Sequence, residues 1–174
     1  MSKRLLSTAL AAVIATAGLA STAQAAGGII NISGKVLADT CVVTVNGGST
    51  VTLPSVMASS FAALGDTQGT TPFNVDLTGC DTNTTSAQMA FSGSNIDSST
   101  GDLENTAVGG SDVQVRLLNS ADAPINTSTQ GNAPNIAVSA GNGTTTLKAQ
   151  YVSTAASTSA GLVSTSVNFT LTYL

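Results

Sequence analysis

Few side chains in this 174-residue chain are able to do chemistry: it has two cysteines, nine Asp and Glu residues and no histidine. Without histidine, the Ser-His-Asp and Cys-His arrangements of nucleophilic enzymes cannot form. Histidine-based zinc sites are also excluded, and two cysteines cannot supply the four ligands of a thiolate site. A pair of converging carboxylates, as in glycosidases, is the catalytic arrangement that these residue types still allow.

Most of the acidic residues lie in turn-like stretches, where aspartate commonly bonds to nearby backbone groups. The sequence therefore favours solvated turn acids over a catalytic pair. The richest acidic stretch, Asp97–Glu104, lacks the ligand spacing of a calcium loop, and no glycine-rich loop leads from a strand into a helix as a phosphate site requires. We predict a protein that is not an enzyme and that binds no cofactor and no metal, with a secreted hydrolase as the remote alternative.

The N-terminus predicts export. Residues 1–25 combine a basic start (Lys3, Arg4), an apolar run and the triplet Ala23-Gln24-Ala25, which together are typical of a signal peptide cleaved after Ala25. Export places Cys41 and Cys80 in an oxidising compartment, where a single pair of cysteines usually forms a disulfide. Two free thiols are the alternative.

The mature chain, residues 26–174, is acidic and poor in charge. It carries three basic residues, Lys35, Arg116 and Lys148, against nine acidic ones, which gives a net charge of −6. A nucleic-acid partner is excluded, because its phosphates require clustered Lys and Arg. An anionic membrane surface is excluded for the same reason.

Short runs of alternating apolar and polar residues recur along the mature chain between clusters of Gly, Asn, Ser and Thr. This pattern predicts antiparallel strands in an all-β sandwich of one domain. Val56–Leu64, which contains helix formers with weak periodicity, predicts at most a turn or two of helix. The predicted strands are residues 30–32, 35–37, 41–45, 50–53, 73–77, 87–91, 113–117, 145–152 and 163–173.

The last predicted strand ends in an apolar row: Val167, Phe169, Leu171 and Tyr173 alternate with polar residues up to the final leucine. Such alternation is typical of a half-buried strand, and an open apolar edge tends to pair with another chain. The sequence therefore raises the question of what covers this strand.

A second apolar row lies near the mature N-terminus. Ile30, Ile32, Gly34 and Val36 alternate with polar residues and would face one way on an extended strand. The row is either the first strand of the domain's own sheet, with a bulge at Gly34, or a strand offered to another chain. A glycine within such a row also indicates a place where something approaches the backbone closely.

Several motifs, taken in order, resemble those of one family. They are GGIINISGKVLADTC at Gly27–Cys41, VTLPSV at Val51–Val56, FNVDLTGC at Phe73–Cys80, AFSGS at Ala90–Ser94, and NFTLTYL with its penultimate tyrosine at Asn168–Leu174. The sequence resembles the major subunits (pilins) of type 1-like fimbriae, which are assembled by the chaperone–usher pathway. The resemblance extends over the whole mature chain.

The resemblance implies an incomplete immunoglobulin-like β-sandwich that is completed by a donor strand from another chain. It implies a signal peptide over residues 1–25, a donor-strand extension over residues 26–36 and a pilin domain over residues 37–174. Ile30, Ile32, Gly34 and Val36 would be the donor positions. Val167, Phe169, Leu171 and Tyr173 would form the groove edge and the chaperone contact.

The implied function is that of a structural subunit that passes through the periplasm and polymerises head-to-tail into an extracellular fibre for adhesion. The implied partners are identical or related pilin subunits, a periplasmic chaperone and an outer-membrane usher. A minor or adaptor subunit of the same fibre is the alternative. A sugar-binding adhesin is less expected, because it would need a second lectin domain and the mature chain has only 149 residues.

Overall fold

The computed structural model describes residues 31–37, 40–46 and 48–174. The predicted signal peptide and Ile30 lie outside the described residues. The chain divides after Lys35 into two units, and the unit Val36–Leu174 is described here by itself. Residues 31–37 have no secondary structure, so the strand predicted at 35–37 is wrong for the chain on its own.

Within the described residues, eight strands and one short 3-10 turn make up the folded unit. The turn, Ala58–Ser60, is what remains of the predicted stretch of helix. The strands are β1 (Val42–Val45), β2 (Thr67–Thr78), β3 (Ser86–Ser92), β4 (Leu103–Glu104), β5 (Val113–Leu118), β6 (Asn135–Ser139), β7 (Asn142–Ser153) and β8 (Asn168–Tyr173). The all-β prediction is therefore confirmed.

All strand pairs are antiparallel and form the two layers of a sandwich. One layer has the order β1-β2-β7-β5-β4, and the other has the order β6-β3-β8. Strand β6 contributes to both layers, because it pairs with β3 through Asn135–Ala137 and with β7 through Val138 and Ser139. Strand β8 is thus an edge strand of the smaller layer.

The core forms because inward-facing residues alternate with outward-facing ones along each long strand. Val75, Leu77, Met89 and Leu147 are each only 1% exposed. Full burial of such side chains stabilises the fold by about 1.5–3 kcal/mol each. On the outer face, the Thr144 hydroxyl donates a 2.6 Å hydrogen bond to Asp76 across the β2–β7 pair.

The predicted disulfide is present: Cys41 and Cys80 are joined with an S–S distance of 2.07 Å. It ties the residue before β1 to the second residue after β2, and both cysteines are buried. Strand β1 is only four residues long and pairs only with β2 among the described strands. The bond therefore fixes the point at which the N-terminal segment leaves the sandwich.

The double substitution Cys41→Ser/Cys80→Ser is expected to lower the free energy of unfolding by about 4 kcal/mol, the chain-entropy estimate for a loop of this length. Guanidinium unfolding of the refolded mature chain measures the loss. The wild type under reducing conditions is the control and should match the double variant. An unchanged unfolding midpoint would show that the bond contributes nothing to stability.

Candidate functional site

An apolar groove with a volume of about 570 Å³ opens along the sandwich between residues 49–53 and residues 163–169. Its floor consists of side chains that belong to the buried core. They are Phe73, Val75, Met89, Phe91, Leu103, Val115, Leu117, Leu147 and Ala149. The hydrophobic core is therefore open along one side instead of being covered by backbone.

The two walls of the groove present alternating apolar side chains. On one wall Val51 and Leu53 are half-buried, while Thr52 between them is exposed. On the other wall Val163, Val167 and Phe169 are half-buried and line the groove. Both walls thus have the pattern of strands, with their apolar sides turned toward the groove.

Neither wall has a complete set of strand partners. Residues 50–53 and 163–167 were predicted as strands, yet no strand forms there and β8 begins only at Asn168. Strand β8 pairs with β3 on one side, and its other edge has no strand neighbour within the described part of the chain. These two predictions are wrong because a strand requires a neighbouring backbone, and the groove occupies the place where that backbone would lie.

Individual hydrogen bonds from a neighbouring loop, instead of a strand ladder, hold the second wall. The Asn105 Oδ1 atom accepts a 2.9 Å hydrogen bond from the Ser164 N–H, and the Thr106 N–H donates to the Ser164 carbonyl at 2.8 Å. The Asn95 side chain donates to Thr165 and Ser166. The wall is therefore in position although no strand lies against its groove side.

A smaller cleft of about 360 Å³ adjoins one end of the groove and shares Tyr151 and Val163 with it. Val56, Phe61 and Leu162 are among its lining residues. Burial raises the pKa of the Tyr151 hydroxyl, and Tyr151 lines both spaces.

The predicted groove-edge residues are only partly brought to the groove. Val167 and Phe169 line it. Leu171 and Tyr173 continue the same half-buried row and pack against the core, but they do not line the groove. The row is therefore one face of β8, and the groove lies beside its first half.

Two of the predicted donor residues are almost fully exposed: Ile32 is 91% and Val36 is 95% exposed. A Cβ atom placed on Gly34 would meet no atom within 4 Å. The fourth, Ile30, lies outside the described residues. The opposite wall, with Val51 and Leu53, is the part of the site that the sequence did not reveal, although the alternation before Pro54 was visible as a short strand.

The acidic stretch Asp97–Glu104 is engaged in structural bonds. The Ser99 hydroxyl and the Gln114 amide donate to Asp97 and lower the pKa of its carboxyl below its usual value. Asp102 is 2% exposed and accepts two bonds from Arg116, at 2.9 and 2.8 Å. Among the described residues, no group of three potential metal ligands occurs.

Within residues 31–37, 40–46 and 48–174, no helix is long and apolar enough to cross a membrane.

Comparison with known proteins identifies the family to which the chain is similar. The profile of the family described as "Fimbrial protein" matches residues 30–174. The chain is 38% identical to an F17 fimbrial protein of Escherichia coli, over 92% of this chain and 94% of that protein. It is 35% identical to the major fimbrial subunit SMF-1 of Stenotrophomonas maltophilia, over 92% and 99%.

Solved structures agree on the fold. An antigen and type I fimbria protein of Burkholderia pseudomallei matches with a TM-score of 0.59 and 26% identity, over 77% of this chain and all of that one. The P pilus rod subunit PapA matches with a TM-score of 0.61 at 17% identity, which shows a common fold, over 78% of this chain and all of that one. The immunoglobulin-like sandwich is thus the fold of pilin subunits.

The family match covers residues 30–174 of the 174 residues, and the curated relatives match along almost their full length. The family is structural, which agrees with the prediction that the protein is not an enzyme, and its members polymerise with other pilin subunits into fibres outside the cell. The chain belongs to the fimbrial protein family and is a structural subunit of a surface fimbria.

Proposed function

We propose that the groove is the acceptor site for a donor strand supplied by the next subunit of the fibre. The donor would be residues 28–36 of that subunit, with Ile30, Ile32, Gly34 and Val36 facing the groove. One observation carries the proposal: the apolar core is open along a groove between two strand-like walls, one of which leads into the edge of β8 that has no strand neighbour among the described residues.

The lengths of donor and groove agree. The donor row from Ile30 to Val36 spans seven residues, as does the wall from Val163 to Phe169. Seven extended residues cover about 20 Å. The large aromatic rings of Phe73, Phe91 and Tyr151 line the groove. A donor strand that passes over one of these rings needs a residue without a side chain at that point to make room for the ring. Gly34 would be that residue.

The energetics support a stable fibre. Burial of Ile30, Ile32 and Val36 would contribute about 1.5–3 kcal/mol each, and each main-chain bond formed along the strand adds about 1 kcal/mol net. Each subunit donates one strand and accepts another, so the contact is head-to-tail. A head-to-tail contact whose rotation does not close into a ring generates a filament.

A groove that exposes the core must be covered before the fibre is built, because an open apolar edge is prone to aggregate. We infer that a periplasmic chaperone occupies the groove and pairs with β8 along Val167, Phe169, Leu171 and Tyr173. Donor-strand complementation of pilins by chaperones is an established form of β-strand addition. An outer-membrane usher would then exchange the chaperone for the next subunit.

Two of the relatives are named as major fimbrial subunits: SMF-1, and a probable major subunit of Escherichia coli O157:H7 to which the chain is 29% identical. A minor or adaptor role is therefore not favoured.

The substitution Gly34→Leu tests the donor assignment. It should leave the subunit folded, because a Cβ at Gly34 meets no atom within 4 Å. It should reduce the fibre yield at least about tenfold, because a large side chain would overpack the groove at every subunit contact, at about 1–3 kcal/mol each. Electron microscopy of the cell surface measures the fibres, and soluble subunit in the periplasm reports folding.

Ser33→Leu is the matched control, since Ser33 lies on the opposite side of the extended strand. It adds the same side chain one residue away and should leave fibres at normal density. Wild-type fibre density in the Gly34→Leu strain would refute the donor assignment of Gly34.

A further inference from the structure

Five apolar side chains are exposed on three loops, each of which contributes residues to the smaller cleft or is bonded to a loop that does; we name them the collar. They are Val56, Met57, Leu64, Val108 and Leu162, with exposed fractions of 37%, 78%, 67%, 102% and 77%. Their loops, residues 55–64, 105–111 and 154–163, contain no charged residue. Clustered exposed apolar side chains without charge are typical of a protein–protein contact.

Two of the collar loops, residues 105–111 and 154–163, are bound to each other. The Asn105 amide donates 2.8 Å hydrogen bonds to the carbonyls of Ser111 and Leu162, and the Ser111 N–H donates to the Leu162 carbonyl at 3.1 Å. Val108 lies in a turn closed by the Gly110 N–H and the Ala107 carbonyl at 3.0 Å. Because the backbone is already ordered, little conformational entropy would be lost on docking.

The third loop is fixed by Asp112. Its carboxylate accepts hydrogen bonds from the hydroxyl and the N–H of Ser159, and these bonds lower the pKa of the carboxyl below its usual value. Asp66 is engaged in the same way by the N–H groups of Ala62 and Ala63 in the first loop. Glu104 precedes the second loop and is exposed, while the collar itself presents apolar and uncharged polar groups.

The collar is continuous with the groove. Val56 and Leu162 line the smaller cleft, which shares Tyr151 and Val163 with the groove. A partner that fills the groove up to Val163 therefore arrives at the collar.

The short connection between the donor strand and the domain of the same subunit limits where that domain can lie on the acceptor. Only four residues, 37–40, separate Val36 from Cys41, where the disulfide fixes the donor domain. An extended chain covers at most about 3.6 Å per residue, so Val36 and Cys41 are at most about 18 Å apart. The donor domain must therefore lie against one end of the acceptor groove.

We propose that the collar docks the domain of the next copy of this chain, the same copy whose extension fills the groove. This inference rests on the proposed function. The collar end suits the contact because apolar side chains are exposed there, next to the end of the groove at Val163. The donor strand then ends at Val163 and runs antiparallel to β8. Val42 of the donor, 62% exposed beside Cys41, is available to meet the collar.

Two substitutions test the collar: Val108→Asp and Leu162→Asp each place a carboxylate on an uncharged surface. Ser128→Asp is the matched control, because Ser128 is exposed in a turn outside the collar. The mature chain of each protein is refolded alone and with excess synthetic peptide of residues 28–36. Size-exclusion chromatography measures multimers formed without peptide, and the rise in guanidinium midpoint with peptide reports an intact groove.

We expect the peptide to stabilise all four proteins equally, while the two collar variants give about tenfold fewer multimers than the wild type and Ser128→Asp. Multimers at the wild-type level in both variants, with normal peptide stabilisation, would overturn the inference. If Leu162→Asp does not fold, Val108→Asp decides alone, since Val108 is fully exposed.

Two further outcomes are distinguishable. If the peptide fails to stabilise even the wild type, the proposed acceptor groove is wrong and the collar inference falls with it. If the collar variants form multimers normally in solution but cells expressing them lack fibres, the collar binds the export machinery, and docking of a second copy is refuted.

Discussion

Removal of Tyr173 and Leu174 is expected to abolish the accumulation of folded subunit. The Leu174 carbonyl accepts hydrogen bonds from the Thr85 N–H at 2.8 Å, the Thr85 hydroxyl at 3.1 Å and the Ser86 N–H at 3.4 Å. The Leu174 N–H donates to Ser86 at 2.9 Å. Together with the half-buried Tyr173 ring, these contacts are worth on the order of 5 kcal/mol, which equals the whole stability of many domains.

The truncation also shortens the edge on which the proposed chaperone would pair, so the chain should be degraded or aggregate in the periplasm instead of being captured. Immunoblots of periplasmic extracts measure the remaining subunit. Leu174→Ala is the control: it keeps every backbone bond and removes a side chain that is 54% exposed, so its level should stay near wild type. Normal levels of the truncated chain would mean that the end of β8 is dispensable for folding and capture.

The parts of the fold that the sequence predicted well are those where the local pattern suffices. In β2, the alternation of Phe73, Val75 and Leu77 with Asn74 and Asp76 identifies both the strand and its buried face, because each inward position meets the core and each outward one meets solvent. Export and a single cysteine pair were enough to predict the disulfide.

The failures lie where structure depends on a partner that local sequence does not specify. Residues 50–53 and 163–167 have strand-like alternation but border the open groove, so no ladder forms on that side. The strand β6 was missed because it is short and its inward residues are only Ile136 and Val138. The collar was invisible because the sequence does not tell which apolar loop residues, such as Val108 and Leu162, remain exposed.

The last prediction joins donor and groove in one molecule. Residues 26–33 are removed, and a copy of residues 28–36 is appended after Leu174 through a short flexible linker. A short linker gives an effective concentration in the mM range, roughly, so the copy should fill the groove of its own domain. Burial of Ile30, Ile32 and Val36 should raise the free energy of unfolding by several kcal/mol, on the order of 5.

This rearranged chain should fold without a chaperone as a soluble monomer, because its groove is filled and Ile30 and Ile32 are gone from the N-terminus. The control carries the same tail with serine in place of Ile30, Ile32 and Val36, and it should gain no stability and leave the tail sensitive to protease. Guanidinium unfolding, size-exclusion chromatography and limited proteolysis compare the two. If the unmodified mature chain is already a stable monomer and the appended tail is cleaved as fast as the serine tail, the sandwich needs no donor strand. In that case the groove would be a surface feature that takes no part in polymerisation.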